Sequence, residues 1–162
     1  MTPGPEDHAA QIGLAYDRYA TGLYRYAVMM LGDRAAAADA VQQVFAAWLR
    51  QTHAIDEDER YLRRAVRNEC YSALRRRQRE PLSTAPFLEP IDPASAHTEE
   101  QVAIEQALRV LPAEQREVVH LKIFEGMTFQ EIADATGESI NTAASRYRYA
   151  IEKLRAHLHV RR

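Results

Sequence analysis

With 162 residues, 46% of them hydrophobic and only six glycines, the chain can build one packed domain or two small ones, and it leans towards helix. One cysteine excludes an internal disulfide framework and a multi-cysteine zinc site. No N-terminal apolar run resembles a signal peptide or reaches membrane-span length, so a cytoplasmic protein without membrane insertion is expected.

The net charge of −2 hides a strong asymmetry. Residues 1–59 hold nine acids against four arginines, 60–79 eight arginines against one acid, and 89–117 seven acids against two arginines. Opposed blocks of this kind suggest one surface for a polyanion and others for a protein partner or an internal counter-surface.

Thr2 to Asp7, with two prolines and a glycine, reads as a frayed tail. From about His8, Ile12, Tyr16, Tyr19, Leu23, Tyr26 and Met30 recur at alternating steps of four and three, which predicts a helix packed through one seam. At that spacing an aromatic stripe is core rather than a cofactor box. Gly32 and Asp33 break the helix, and Asp33 is placed to cap a second one running to about Gln51. Its apolar face is Val41, Val44, Phe45, Trp48 and Leu49.

Gln51 to Glu59 reads as a polar connection whose last residues, Asp56 to Glu59, are all acidic. Acids there suit the N-terminus of a third helix, where the dipole favours negative charge. That helix, to about Arg79, turns Leu62, Val66, Cys70 and Ala73 inward. Arg63, Arg64, Arg67, Arg75, Arg76 and Arg77 form a basic ridge with Tyr61 and Tyr71 interleaved. Cations among aromatics suit a nucleic-acid backbone and unstacked bases. Solubility alone does not call for so one-sided a face. Cys70 reads as a buried thiol.

Glu80 to His97 carries four prolines without helical period and reads as a linker between domains at 1–79 and 98–162. Thr98 is placed to cap a helix through Ile104 and Leu108. Pro112 opens another carrying Val118, Val119, Leu121 and Ile123, which Gly126 ends. From Met127 to Leu154 a short amphipathic helix with Phe129, Ile132 and Ala133 on one face is followed by Gly137, then by Ser139 as cap of a longer helix. Ala143, Tyr147, Ala150, Ile151 and Leu154 share its inner stripe. Asn141, Thr142, Ser145, Arg146, Tyr149 and Lys153 lie outside.

Periodicity alone does not separate a helix-turn-helix from an ordinary helical hairpin. The outer face favours the former, because Asn, Thr, Ser and Arg suit base edges and phosphates. The fold class is therefore all-α, with two small helical domains and a helix-turn-helix in the second. No phosphate loop, nucleophile elbow or metal-ligand cluster is present, and His157 and His159 do not share a helix face. An enzyme is not expected, nor is a cofactor.

Several segments carry a resemblance. Ala107-Leu108-Arg109-Val110-Leu111-Pro112 with Arg116-Glu117-Val118, the run Phe124 to Ala133, and Thr142-x-x-Ser145-Arg146 resemble the second DNA-binding region of bacterial sigma factors of the extracytoplasmic-function group, in the sigma-70 family. Asp39-Ala40-Val41-Gln42-Gln43-Val44-Phe45 with Trp48 is similar to that family's polymerase-clamp helix. Tyr61-Leu62, Asn68 and Leu74-Arg75-Arg76-Arg77 resemble the helix beside the downstream promoter element.

The resemblance implies a factor that binds core RNA polymerase and promoter DNA and is held by an anti-sigma factor. It implies polymerase contacts at Asp39, Gln42, Gln43, Phe45 and Trp48. Downstream-element contacts fall at Arg63, Arg64, Arg67, Asn68, Arg75 and Arg76, and upstream-element contacts at Asn141, Thr142, Ser145, Arg146 and Tyr149. Arg146, directed partly to the helix flank, is expected on a phosphate, with the bases left mainly to Asn141, Thr142 and Ser145. The chain departs from the family in carrying Ala36 and Ala38 where acids are usual, and Ala143 and Ala144 where Val and Lys are frequent. Its 51–59 connection also lacks an aromatic. A stand-alone helix-turn-helix regulator would need neither the Trp48 helix nor the arginine ridge. A purely protein-binding helical adaptor would dock the ridge on an acidic partner.

Overall fold

The computed structural model describes residues 4–51, 58–80 and 98–160, which divide into two compact units, one on each side of the 81–97 segment. Among the described residues there are helices and turns but no strand. Of the linker expected at 80–97, all but Glu80 lies outside the described residues, as do the acids Asp56 and Glu57.

The first unit is a bundle of α1 (Pro5–Leu31), α2 (Arg34–Arg50) and α3 (Asp58–Arg79). Helix α1 starts earlier than the sequence suggested, so Pro5, Glu6 and Asp7 belong to it rather than to a tail. Pro5 at the first helical position has a φ suited to helix and sacrifices no hydrogen bond there. The Asp7 carboxylate accepts the Gly4 backbone N–H at 3.2 Å. Gly32 ends α1 at φ 65°, its N–H donating to the Val28 carbonyl at 2.7 Å. Asp33 Oδ1 then accepts the Ala36 N–H at 3.1 Å, the cap the sequence indicates, worth about 1 kcal/mol.

Two inner faces differ from the periodic reading. On α1 the seam passes through Ala15, leaving Tyr16 47% exposed with its ring edge-on to Phe45 at 5.0 Å. On α2 the buried arc is Ala37, Ala40, Val41, Val44, Phe45 and Trp48, while Leu49 is 55% exposed. The two neighbouring helices cover only that arc, and Leu49 lies past its edge. From Tyr26 to Leu31 every residue of α1 is buried, wedged between α2 and α3. Leu62, Val66 and Cys70 of α3 close the core.

Trp48 is fully buried at the centre of a ring cluster, 6.3 Å from Phe45, 6.0 Å from Tyr61 and edge-on to His8 at 6.4 Å. Polar ties surround it. His8 Nε2 lies 3.1 Å from the Trp48 carbonyl, Gln51 donates to the Tyr61 hydroxyl at 2.9 Å, and Gln11 donates to Asp58 at 3.1 Å. At the other end of the bundle, Arg77 donates to the Leu31 carbonyl at 2.6 Å and lies 3.9 Å from Asp33. Arg77 thus belongs to the fold and not to the exposed ridge.

The second unit comprises α4 (Glu99–Arg109), α5 (Ala113–Val119), α6 (Phe129–Thr136) and α7 (Ile140–Val160), with α4, α5 and α6 all packed on α7. Pro112 caps α5, as its position indicates. A π-helical turn, His120–Phe124, extends α5 and was not legible in the sequence. It inserts one residue into the helical register, closed by Glu125 N–H to the His120 carbonyl at 3.2 Å. Ile123, expected beside Val119 on the inner face, is consequently rotated out and is 54% exposed. Ile104 of α4 is also exposed, while Leu108, Val118, Val119 and Leu121 are buried as expected, and Leu111 is buried with them.

Candidate nucleic-acid and polymerase interfaces

The helix-turn-helix is built from short-range signals. Thr128 Oγ1 accepts the Glu131 N–H at 3.1 Å, and the Glu131 carboxylate returns the favour to the Thr128 N–H at 2.7 Å, a reciprocal capping box that starts α6. Gly137 ends α6 at φ 71°, a left-handed conformation that a side chain with a Cβ rarely adopts. Ser139 Oγ accepts the Thr142 N–H at 3.1 Å and donates to Thr142 Oγ1 at 2.9 Å, so it caps α7 as expected. Ile132 and Ala133 of α6 and Ala143 and Ala150 of α7 are buried, the two helices pack on each other, and Phe129 lies edge-on to Tyr147 at 5.6 Å.

This packing brings Asn141, Thr142, Ser145, Arg146 and Tyr149 to the N-terminal half of α7, at helical steps that place them on one side. Asn141 is exposed, Thr142, Ser145 and Arg146 are half-buried, and Tyr149 is 50% exposed. The Arg148 guanidinium lies over the Tyr149 ring at 5.2 Å. Arg146 Nη2 donates to Glu138 Oε1 at 3.1 Å across the turn. Sequence reasoning missed Glu138. The partners are eight residues apart, and only the Gly137 turn folds Glu138 back over the start of α7.

The α3 ridge lies in the first unit. Arg64, Asn68 and Arg75 are exposed, and Arg67 is half-buried with its guanidinium over Tyr71 at 4.7 Å. Steps of three and four put Arg64, Arg67, Asn68, Tyr71 and Arg75 along one stripe, with Arg63 and Arg76 on its flanks. Arg63 pairs with Glu59 at 3.4 Å, and Arg75 donates to Ser72 Oγ at 3.0 Å. An i,i+4 pair of this type near the surface contributes only a few tenths of a kcal/mol. The stripe therefore offers a line of cations with one aromatic ring already stacked by a cation.

The α2 set divides in two. Asp39, Gln42 and Gln43 are exposed, whereas Phe45 and Trp48 are in the core at 6% and 0% exposure. The last two pack inward from α2, so its exposed face carries only the first three. Gln42 also borders an open groove of about 360 Å³ between α1 and α2, with Tyr16, Asp17, Tyr24 and Ala38. No described helix is long and apolar enough to cross a membrane.

Residues 15–80 match the sigma-70 region 2 family model, and residues 101–154 match the model for sigma-70, region 4. An RNA polymerase sigma-E factor of Streptomyces coelicolor is 33% identical over 141 residues, covering 84% of this chain and 79% of the relative. The ECF RNA polymerase sigma factor SigL of Mycobacterium tuberculosis is 29% identical over 157 residues, or 91% of this chain and 88% of the relative. The solved sigma factor RpoE of Bartonella quintana, in complex with the anti-sigma factor NepR, shares the fold with a TM-score of 0.69 at 24% identity, covering 97% of this chain and 99% of that one. The chain belongs to the sigma-70 family, in its extracytoplasmic-function (ECF) group. It is an RNA polymerase sigma factor, a protein that binds core polymerase and promoter DNA to begin transcription.

Proposed function

We propose a division of labour among the three surfaces. The first two turns of α7 read the upstream promoter element, with Asn141, Thr142 and Ser145 facing base edges and Arg146 a phosphate. Tyr149 borders them. The α3 stripe of Arg64, Arg67, Asn68 and Arg75, flanked by Arg63 and Arg76, holds the downstream element, and Tyr71 offers a surface for an unstacked base. The exposed face of α2, at Asp39, Gln42 and Gln43, docks on core polymerase, with Phe45 and Trp48 setting its shape from beneath. The chain works in the cytoplasm beside the polymerase and the chromosome, and an anti-sigma factor is its further partner. It carries out no chemistry of its own.

The observation that supports this reading best is the order at the start of α7. A capped, exposed N-terminus with Asn141 and Thr142 in its first turn is the part of a recognition helix that reaches base edges. Transcription by purified core polymerase on genomic fragments tests it. Adding the chain is expected to produce discrete start sites. A chain that binds the same fragments but never co-purifies with core polymerase would instead be a stand-alone regulator.

The polymerase contact has its own expected result. Asp39 and Gln42 are one helical step apart and both exposed, so alanine at both positions preserves α2. Core binding should weaken by roughly tenfold, the scale of a pair of contact residues. Unchanged core affinity, with an unchanged melting temperature, would exclude this face.

A further inference from the structure

The turn before α7 holds an acid where affinity for DNA alone would favour none. Glu138 directly precedes the capping residue Ser139, at the end of α7 where backbone N–H groups are aimed outward and anions are attracted. A carboxylate there repels a nearby phosphate. Yet Glu138 is not directed into open solvent. Its Oε1 accepts from Arg146 Nη2 at 3.1 Å, with the two side chains 38% and 26% exposed. The pair reaches from the turn to the second turn of the helix, past Thr142, which Ser139 already holds.

A guanidinium has five N–H donors in a rigid plane. Engaging one of them on Glu138 leaves the others available and biases the guanidinium towards one direction before any DNA arrives. Arginine otherwise loses much rotamer freedom on docking, and a side chain held in place beforehand loses less. The pairing has a second effect. Arg146 and Glu138 together carry no net charge, so the pair adds little to the attraction for DNA of any sequence. An arginine oriented in this way favours one geometry over general stickiness.

We infer that Glu138 is a positioning residue for Arg146: it aims the guanidinium at one backbone phosphate and so sets the register in which Asn141, Thr142 and Ser145 meet the bases. This rests on the reading of α7 as the upstream-element helix. Phosphate contacts carry no sequence information themselves but fix where the reading side chains stand. Releasing Arg146 therefore changes discrimination, and does so with opposite signs on the two kinds of DNA. Cognate binding weakens as the register loosens. Non-cognate binding strengthens, because a negative charge has been removed.

The test uses the full chain assembled with core polymerase. The cognate probe is a duplex selected by the wild-type holoenzyme from genomic fragments, and the competitor has its upstream element scrambled. Glu138→Ala is expected to lower the cognate-to-scrambled affinity ratio about fivefold, the scale of coupling between contacting residues. Glu138→Gln, whose amide oxygen can accept the same hydrogen bond, should restore at least half of that loss. In an Arg146→Ala background, Glu138→Ala should leave the ratio unchanged.

A ratio unaltered by Glu138→Ala, with both duplexes bound more tightly, would overturn the proposal, since Glu138 would then act only by repulsion. An equal loss of ratio in the Arg146→Ala background would overturn it as well. The reading of α7 fails separately: Asn141→Ala with Thr142→Ala would then leave the wild-type ratio intact.

Discussion

Trp48→Ala is expected to cost the first unit about 3–5 kcal/mol, the range for emptying a buried indole from a packed core. Small domains are stable by only about 5–15 kcal/mol in total, so this single change consumes a large share. For a unit of this size the melting temperature should fall by roughly 20 °C. The basis is the complete burial of Trp48 among Phe45, Tyr61 and His8. Loss of polymerase binding should follow loss of helicity and have no separate cause. Trp48→Phe should be milder, because it keeps much of the volume and removes a buried indole N–H that has no hydrogen-bond partner among the described residues. Circular dichroism melts of both variants, beside a core-polymerase pull-down, check this. A Trp48→Ala protein that melts like wild type yet no longer binds polymerase would return Trp48 to the contact surface.

The arginine stripe supplies the other large effect. Replacing Arg64, Arg67 and Arg75 together with glutamine removes three cations while leaving the α3 core residues Leu62, Val66 and Cys70 untouched. If each contacts one phosphate of an opened strand, the slope of log affinity against log salt becomes shallower by about two units. Between about 50 and about 200 mM salt, wild-type holoenzyme should then lose about twentyfold more affinity for promoter DNA than the variant loses. Binding measured at several salt concentrations on promoter DNA with a pre-opened downstream element reads this directly. Parallel salt dependences would mean that the stripe faces something other than phosphate. A variant with unchanged DNA binding but weaker polymerase binding would mean that the stripe docks on protein.

The helix ends were legible because their signals are local. Asp33, Thr128 with Glu131, Gly137 and Ser139 each act on backbone groups within a few residues, so the sequence places them without reference to the rest of the fold. The faces were legible only in part. Periodicity shows that α1 and α2 have an apolar side, but the width covered depends on which helices lie against it, so Tyr16 and Leu49 were assigned inward and lie outward. A resemblance matches a whole helix and does not separate its exposed residues, Asp39, Gln42 and Gln43, from its buried ones, Phe45 and Trp48. The π-turn at His120–Phe124 leaves no periodic trace, because one inserted residue shifts the phase in the middle of an apolar run. Glu138 and Arg146 meet only once the glycine turn is formed.

The Arg77 guanidinium sets a practical limit on dissecting the molecule. It accommodates the last carbonyl of α1 and approaches the acid that begins α2, so three helices meet at one side chain near the end of the third. The Leu31 carbonyl is among the four that a helix leaves unanswered at its C-terminus, and here the half-buried Arg77 guanidinium answers it. A fragment intended to carry the first unit alone therefore has to run through Arg77. Cutting the chain a single helical turn earlier would keep every residue of the apolar core and still leave the corner between the first two helices without its fastening.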